Sequence, residues 1–331
     1  MIRVTAATRA NFLVTAAVLA GCLALVEVFV LACGQAPAHV LAALVAGTWG
    51  NGYGIGQVLF KATPLVFTGL AVALPFRAGL FNVGAEGQAV LGALAIGLVG
   101  AYVPPSVPGV VGVAAALCAG ALTGGLWGAL PGVLRARAGA SEVVSTLLLN
   151  FVALGAANWL LASRFAVPET LHTLPVTDVA QLDRLSGFVP SLSGSAASTA
   201  FPLALVFAAL AAWWLFRTVG GHAVRATGLN PEAARAVGIP PGRVQVSTMA
   251  IGGALAGLAG AGYVLGFKGY YEDGFVGGAG FMGIAVAVLA RNHPLWVVPA
   301  ALLFGTLSQG GLAINALVPK ELVDILQAII I

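Results

Sequence analysis

The polar residues best placed to do chemistry stand inside otherwise apolar sequence. Asn82 and Glu86 are four residues apart in FNVGAEGQ, a spacing that puts both on one face of a helix. Gly84 and Gly87 make such a helix easy to break, and a broken helix can aim backbone groups at a cavity. We therefore predict that Asn82 and Glu86 either border a solute path or hydrogen-bond the ends of neighbouring helices.

Two asparagines in a later apolar segment have the same two possible roles. Asn150 and Asn158 are eight residues apart, which places them within about 80° of each other on a helix at 100° per residue. Lining of a pathway and hydrogen bonding between helices are both open for this pair. Glu27 and Lys61, also in apolar segments, could pair or extend towards the outer surface, and the sequence assigns them no function.

The composition of the chain predicts the kind of structural element in which these residues lie. Of the 331 residues, 60% are hydrophobic and 8% are charged, whereas a soluble domain has about 25% charged residues. A soluble fold cannot bury that much apolar surface, so the sequence predicts one all-α transmembrane domain over residues 1–331. The net charge of +4 comes from basic residues scattered singly over short loops, a pattern that reports membrane topology and not nucleic-acid binding.

Nine apolar segments are long enough to cross a bilayer, which takes about 20 residues. A tenth begins near Glu321 and is predicted either to be incomplete or not to cross. The segment 38–51 is too short to span, and we expect an interfacial or partly re-entrant helix there. The nine predicted spans are 12–33, 55–76, 80–102, 108–130, 142–162, 200–217, 246–266, 274–290 and 294–313.

The basic residues predict the orientation of these spans. With a cytoplasmic N-terminus, ten of the fifteen basic residues fall inside, in agreement with the positive-inside rule. The polar stretch 163–199 is then an external loop, and 217–246 is a cytoplasmic loop. The ten predicted inside residues are Arg3, Arg9, Arg77, Arg135, Arg137, Arg217, Arg225, Arg235, Arg243 and Arg291.

Glycine marks the helix faces that are expected to touch. Small residues let helices approach closely in lipid, so each ladder of such residues predicts one flat packing face. The abundance of glycine, 45 residues, is the alternative explanation. Glycine-rich sequence at 79–100 and at 274–290 also hints at an internal duplication. One ladder is Gly120, Gly124, Gly128 and Gly132, and the other is Gly252, Ala256 and Gly260 beside Gly253 and Gly257.

The loop 217–246 contains the signals of a short, self-bounded helix. Asn230 is a suitable N-cap, Pro231 suits the first helical position, and Gly238 ahead of two prolines ends the helix. A helix of about two turns is therefore predicted over 231–237. It either transmits motion to a cytoplasmic partner or is a surface helix without such a role.

The sequence lacks the motifs that are typical of several other classes of protein. Cys22, Cys33 and Cys118 lie in or beside apolar segments without metal-ligand spacing, so we expect buried small side chains, no disulfide and no metal. The sequence contains no G-x-x-x-x-G-K-[ST] phosphate loop, no H-E-x-x-H and no G-x-S-x-G. The sequence therefore gives no support for an enzymatic function, and any ATP must be hydrolysed on another chain.

Four separated motifs resemble one family of transporters. They are GLFNVGAEGQ at 79–88, GASEVVSTLLLNFVA at 139–153, GLNPEAARAVGI at 228–239 and GFMGIAVAVLARNHPLWVV at 280–298. In this order they resemble ABC-importer permeases of the branched-chain amino acid and ribose type, and within it the nucleoside importers, over residues 55–327. Ala290 stands where glycine is expected in that family.

The resemblance implies partners and a cargo. The 231–237 helix would dock on a cytoplasmic ABC ATPase that binds ATP and Mg, and this chain would carry no cofactor. A second permease, homologous or identical, would complete the path, and a substrate-binding lipoprotein would deliver the solute. Nucleosides are the expected cargo, with simple sugars or branched-chain amino acids as alternatives. The chain would then be a multi-pass protein of the bacterial plasma membrane, surrounded by lipid.

The same reading assigns residues to two sites. The predicted substrate pathway comprises Asn82, Glu86, Gln88, Asn150, Asn158 and Phe281, and the predicted ATPase coupling site comprises Asn230, Pro231, Glu232, Ala233, Ala234, Arg235, Val237 and Gly238. A secondary transporter is the less favoured alternative, because it needs paired ion-coupling acids near mid-membrane and only Glu27 and Glu86 qualify. An ion channel would need a filter of charged or carbonyl groups, which one chain does not exclude.

Cysteine labelling tests the predicted orientation. In a background without the three native cysteines, cysteines placed at Ser186 and at Gly242 should react with a membrane-impermeant thiol reagent from opposite sides of the membrane. The reason is that 163–199 is predicted outside and 217–246 inside. Labelling of both positions from one side would mean that the number of crossings between them is wrong.

Overall fold

The computed structural model describes residues 27–319 together with Gly21, Ala24 and Ile325. Most of the predicted span 12–33, and the segment that begins near Glu321, lie outside the described residues. The described part of that first span is helical over 27–32. The described chain is all-α, as predicted, and its β-structure is limited to three isolated bridges.

Seven of the described helices are long and apolar enough to cross a membrane, namely α2 to α6, α9 and α11. Helices α5 and α9 are prolonged by helical turns as far as Phe165 and Lys268. In chain order the helices are α1 (Pro37–Thr48), α2 (Gly52–Arg77), α3 (Ala85–Tyr102), α4 (Gly109–Ala138), α5 (Glu142–Leu160), α6 (Ala200–Arg217), α7 (Val219–Leu229), α8 (Pro231–Ala236), α9 (Pro241–Gly257), α10 (Ala279–Leu289) and α11 (Pro294–Ile314).

The two ends of α2 mark the two ends of the bundle. At its C-terminus the Arg77 guanidinium donates to the carbonyl oxygens of Asn292 (2.8 Å) and Arg291 (3.1 Å). Gly228 of α7 lies against the Arg77 backbone, so the loop 217–246 belongs to the same end. We call this the arginine-rich end.

The opposite end is covered by the polar segment 166–199. Its backbone at Ser191 touches Gly52, the first residue of α2, and Thr177 donates to the carbonyl oxygen of Gly100 near the end of α3. The segment contains three 3-10 turns and no α-helix. It is therefore a folded cap on this end of the bundle, which we call the loop end.

One predicted span, 274–290, is wrong as a single crossing helix. Helix α10 has only 11 residues, about 16 Å, whereas the hydrocarbon core is about 30 Å thick. The chain before it cannot continue the helix, because Gly277 and Gly278 have φ of +53° and +84°. Thr68, about 24 Å along α2 from the loop end, donates its hydroxyl to the carbonyl of the first α10 residue. The crossing therefore combines irregular chain with a half-helix.

The predicted span 80–102 also begins later than expected. Helix α3 starts at Ala85, and the residues before it return from Arg77 into the bundle without helical structure. Asn82 consequently precedes the helix and does not share a helical face with Glu86. Irregular chain followed by a helix that starts inside the bundle thus occurs in both glycine-rich stretches, and an internal duplication stays a prediction.

Two smaller predictions have different outcomes. The segment 38–51 does contain a short helix, α1, which packs on α2 and α11. The expectation of buried cysteines is wrong for Cys118, which is exposed on the outer side of α4, where an apolar thiol can face lipid. Cys33 is half-buried.

Both glycine ladders lie at helix contacts, as predicted, and Gly253 and Gly257 of α9 face the ladder of α4. A methyl group added at Gly253 or Gly257 would overlap the backbone of Gly124 or Gly120 on α4. On its other side α9 packs on α2, where a methyl group at Gly252 would meet the Ala71 carbonyl. Helix α9 is therefore held at backbone contact distance between two spans, a packing that larger residues exclude.

Substitution of a ladder glycine should destabilise the bundle. In Gly253→Ala the new methyl group meets backbone atoms, which cannot move away as a side chain would, and overpacking of this kind costs about 1–3 kcal/mol. Gly155→Ala on α5 is the matched control, because no atom lies within 4 Å of its added methyl group. We expect a lower thermal midpoint of the purified protein for Gly253→Ala, and an unchanged or higher one for the control. Equal midpoints would contradict the packing role.

Candidate functional site

The N-termini of α3 and α10 meet inside the bundle at the carboxylate of Glu86. Its Oε1 accepts a hydrogen bond from the backbone N–H of Gly278 (3.0 Å), and its Oε2 accepts one from Gly280 (2.7 Å). Glu86 itself belongs to the first turn of α3. One side chain therefore joins the starts of two helices that run towards opposite ends of the bundle.

Electrostatics favours a carboxylate at this junction. Each helix N-terminus carries about half a positive elementary charge and several N–H groups without a partner in the helix. Away from water, each unsatisfied N–H costs several kcal/mol. Glu86 is 6% exposed, and it supplies both the negative charge and two acceptors. Of the two roles predicted for Glu86, the bond to a neighbouring helix end is the one that the structure shows.

Three amide side chains complete the junction. The side chains of Asn82 and Gln88 bond each other in both directions, at 2.9 and 3.1 Å, and Asn82 also accepts from the Gly84 N–H. Asn150 of α5 accepts from the Gly87 N–H (2.9 Å) and donates to the carbonyl oxygen of Val83 (2.9 Å), so it ties α5 to the same turn. All three amide side chains are buried and fix the irregular chain ahead of α3.

The structure therefore brings together four of the six predicted pathway residues and leaves two apart. Asn82, Glu86, Gln88 and Asn150 form the junction described above. Asn158 is exposed on the outer side of α5, and Phe281 is 45% exposed on α10. Contact of any of the six with a solute remains a prediction.

A cavity of about 490 Å³ lies beside the start of α10, within the size range of small-molecule sites. Its walls come from α2, α11, the prolonged end of α9 and the irregular chain at 275–279. Gly278, which binds the Glu86 carboxylate, is part of the wall, but Glu86 is not. Glu86 is thus a positioning residue for the cavity.

Sequence reasoning missed the polar groups that do face this cavity. Lys61 of α2 and Ser308 of α11 both line it, and the Lys61 ammonium donates to the Ser308 hydroxyl at 3.3 Å. A signal for Lys61 was present, because Tyr53, Gln57 and Lys61 recur every four residues and so share one face of α2.

Helix α10 is also fixed at its arginine-rich end. Arg77 bonds the carbonyl oxygens of Arg291 and Asn292, which follow α10 and have φ of +50° and +53°. The next residue, His293, stacks on the Phe216 ring at 4.9 Å between centroids. Burial and the Arg77 guanidinium lower the pKa of His293, which favours its neutral form at neutral pH. The half-helix is therefore attached at both ends by side chains of other helices.

The short helix predicted over 231–237 is confirmed as α8, which ends one residue earlier at Ala236. The Asn230 side chain accepts from the N–H groups of Glu232 (2.9 Å) and Ala233 (3.0 Å). Gly238 ends the helix at φ +85°, a conformation that glycine adopts without strain. Both ends of α8 are thus closed by its own residues.

One residue of the predicted coupling site does not lie on the exposed face of α8. Ala233 is exposed, as are Leu229 at the end of α7 and Val237 directly after α8, at 89% and 76%. Ala234 is 3% exposed, because α8 packs its inner side on α7. Helix α7 itself was not predicted, although Thr218 caps it by accepting from the Gly221 N–H (3.2 Å).

Residues 54–331 match the family described as the permease component of branched-chain amino acid transport systems. The chain belongs to this permease family. The guanosine ABC transporter permease NupP of Bacillus subtilis is 36% identical over 302 residues, which cover 90% of this chain and 85% of NupP. A glucose ABC transporter permease of Haloferax volcanii is 35% identical over 303 residues, or 89% of this chain and 79% of that protein.

The nucleoside ABC transporter permease NupB of Lactococcus lactis is 31% identical over 314 residues, which cover 92% of this chain and 85% of NupB. Bacillus subtilis also has a second matching guanosine permease, NupQ, at 27% identity over 263 residues. The resemblance to nucleoside and sugar ABC permeases is therefore confirmed. The permease is a multi-pass membrane protein with seven candidate spans among its described residues.

Replacement of Glu86 should loosen the junction in this permease. Glu86→Gln keeps the shape but puts an NH₂ group where one N–H donor needs an acceptor, and a buried donor left unsatisfied costs about 1–3 kcal/mol. We expect a lower thermal midpoint and reduced transport per molecule in the membrane. Glu169→Gln, at an exposed carboxylate of the loop end, is the control and should change neither quantity. A Glu86→Gln protein as stable as the wild type would refute the helix-joining role.

Proposed function

We propose that this permease forms the membrane path for nucleosides in an ATP-driven importer of the bacterial plasma membrane, with its N-terminus in the cytoplasm. Two relatives that are named for guanosine or nucleosides support this cargo. The glucose permease among the relatives makes simple sugars the second candidate, and the family description makes branched-chain amino acids the third. The arginine-rich end faces the cytoplasm in this proposal, in agreement with the positive-inside rule.

Helix α8 carries the proposal of ATP-driven transport. It is a short helix closed at both ends, and Ala233 on it is exposed together with the flanking residues Leu229 and Val237. Exposed apolar side chains on a small rigid unit suit a groove on a partner protein. The partner is an ABC ATPase that binds ATP and Mg and hydrolyses ATP on its own chain.

The contacts of α8 provide a route from that ATPase to the cavity. Helix α8 packs on α7, and Gly228 of α7 lies against the Arg77 backbone. Arg77 in turn binds the two residues that follow α10, and the start of α10 forms part of the cavity wall. A displacement of α8 on ATP binding therefore reaches the half-helix through direct contacts, and the cavity opens alternately to each side.

Two further partners belong to the proposed importer. A second permease, homologous or identical, packs on exposed apolar helix faces, as the two guanosine permeases of one bacterium suggest. A substrate-binding lipoprotein docks at the loop end, where the folded segment 166–199 offers a polar surface. Lipid covers the remaining apolar surface.

A bulky residue on α8 should uncouple transport from ATP hydrolysis. We expect Ala233→Trp to insert and fold normally, since the position is exposed, but to lose most ATP-dependent uptake and most solute-stimulated ATPase activity of the reconstituted complex. Ala138→Trp is the matched control, because Ala138 is an exposed alanine at the end of α4, in another loop. Wild-type uptake and stimulation in Ala233→Trp would exclude α8 as the coupling helix.

The choice of substitution and the removal of ATP both affect what this experiment can distinguish. Gly238→Pro is a poorer test than Ala233→Trp, because proline cannot adopt φ +85° and would alter the end of α8 itself. Removal of ATP with the ion gradient intact provides the second arm. Uptake that continues without ATP would identify a secondary transporter or a channel.

A further inference from the structure

Lys61 lies where two cavities meet. It lines the 490 Å³ cavity beside α10, and it also lines a second cavity of about 360 Å³ between α1, α2 and α11. Leu312 of α11 is likewise shared by both. The two cavities therefore follow each other along α2, with Lys61 at their junction.

The second cavity leads towards the loop end along polar side chains. Tyr53, Gln57 and Lys61 lie on one face of α2, and the Gln57 amide donates to the Tyr53 hydroxyl at 2.9 Å. Asn51 and Gln309 add further polar groups to this wall. A polar stripe thus runs from the start of α2 to the cavity beside α10.

The backbone of Lys61 is far from the end of its span for a charged residue. Lys61 is nine residues, about 14 Å, from the loop-end start of α2. Its hydrogen bond is to the neutral Ser308 hydroxyl, and no carboxylate of the described residues lies within 4 Å of it. A lysine at such a depth in a membrane costs free energy, and lysines at such positions typically mark a solute pathway. With three N–H donors, it suits a solute rich in hydroxyl oxygens.

Aromatic rings form another wall of the same cavity. The Tyr263 ring lies between those of Phe60 and Phe275, with centroid separations of 6.4 and 4.7 Å. The Tyr263 hydroxyl donates to Glu272, which also pairs with Lys268 at 3.5 Å, so the ring is fixed in place. Aromatic faces of this kind stack on nucleobases with little dependence on the base.

We propose that this cavity binds a nucleoside, with Lys61 and Ser308 on the ribose hydroxyl groups and the base stacked on Phe60 and Tyr263. The inference rests on the proposed nucleoside cargo and adds the residues that recognise it. A free sugar has hydroxyl groups for Lys61 and Ser308 but no planar base to stack on the aromatic rings. An amino acid would find no carboxylate for its ammonium group, because none of the described residues that line the cavity is acidic.

Solute protection of an engineered thiol tests this site directly. In a permease without native cysteines, Leu312→Cys, at a residue that lines the cavity but is assigned no contact with the nucleoside, is labelled with a small thiol reagent in the assembled complex. We expect uridine at about ten times its dissociation constant to slow labelling about tenfold, because bound solute covers the thiol, whereas ribose or uracil alone at the same concentration binds more weakly and slows it little. In the same cysteine variant, Lys61→Met should abolish the protection by uridine, and Phe60→Leu should reduce it to the protection that ribose gives. Arg164→Met, at an exposed arginine near the loop end, should retain it.

The outcomes separate the site from the proposed function. Protection that persists in Lys61→Met, or that ribose alone matches, would overturn the nucleoside site. ATP-dependent uptake of uridine and glucose by the unmodified complex is measured in parallel and tests the cargo. Uridine uptake without uridine protection would leave the cargo in place and overturn the site. Glucose uptake alone would overturn the cargo and the site together.

Discussion

The fold depends on a buried carboxylate that binds the starts of two helices. In a membrane a broken helix is tolerated only where its free N–H groups find partners inside the protein. Glu86 provides two acceptors and one negative charge, and two helix N-termini together provide about one positive charge. This balance allows α3 and α10 to begin inside the bundle, which in turn creates the cavity wall at Gly278.

The glycine packing around α9 serves the same arrangement. Two helices that begin inside the bundle leave room that the remaining spans must close, and α9 lies at backbone contact with α4 and beside α2. Contacts of this kind lock α4 and α9 into one rigid unit. Helix α10 is also held by close packing, because a methyl group at Gly283 would meet the Thr68 backbone of α2. The side chains of Glu86 and Arg77 then fix the two ends of this half-helix.

Features that depend on neighbouring residues could be predicted from the sequence. The cap at Asn230 and the stop at Gly238 act within a few residues, and the helix between them is where the sequence placed it. The glycine ladders followed from spacing alone. A break near Gly84 and Gly87 was expected, and α3 begins at Ala85. The start of α10 could not be predicted, because it depends on bonds between residues almost 200 positions apart. The inward face of Ala234 depends on α7, and the cavity around Lys61 depends on α11, for the same reason.

The position of Lys61 follows from these constraints. A half-helix that begins inside the bundle presents its positive end there, and Glu86 neutralises that end from the side away from the cavity. The cavity itself is therefore left with Lys61 as a cation and with no acidic residue in its lining. Such a site attracts oxygen-rich neutral or anionic groups and disfavours cations. The charge that stabilises the fold and the charge that faces the solute are thus carried by different residues, so a change of solute specificity at Lys61 need not disturb the junction at Glu86.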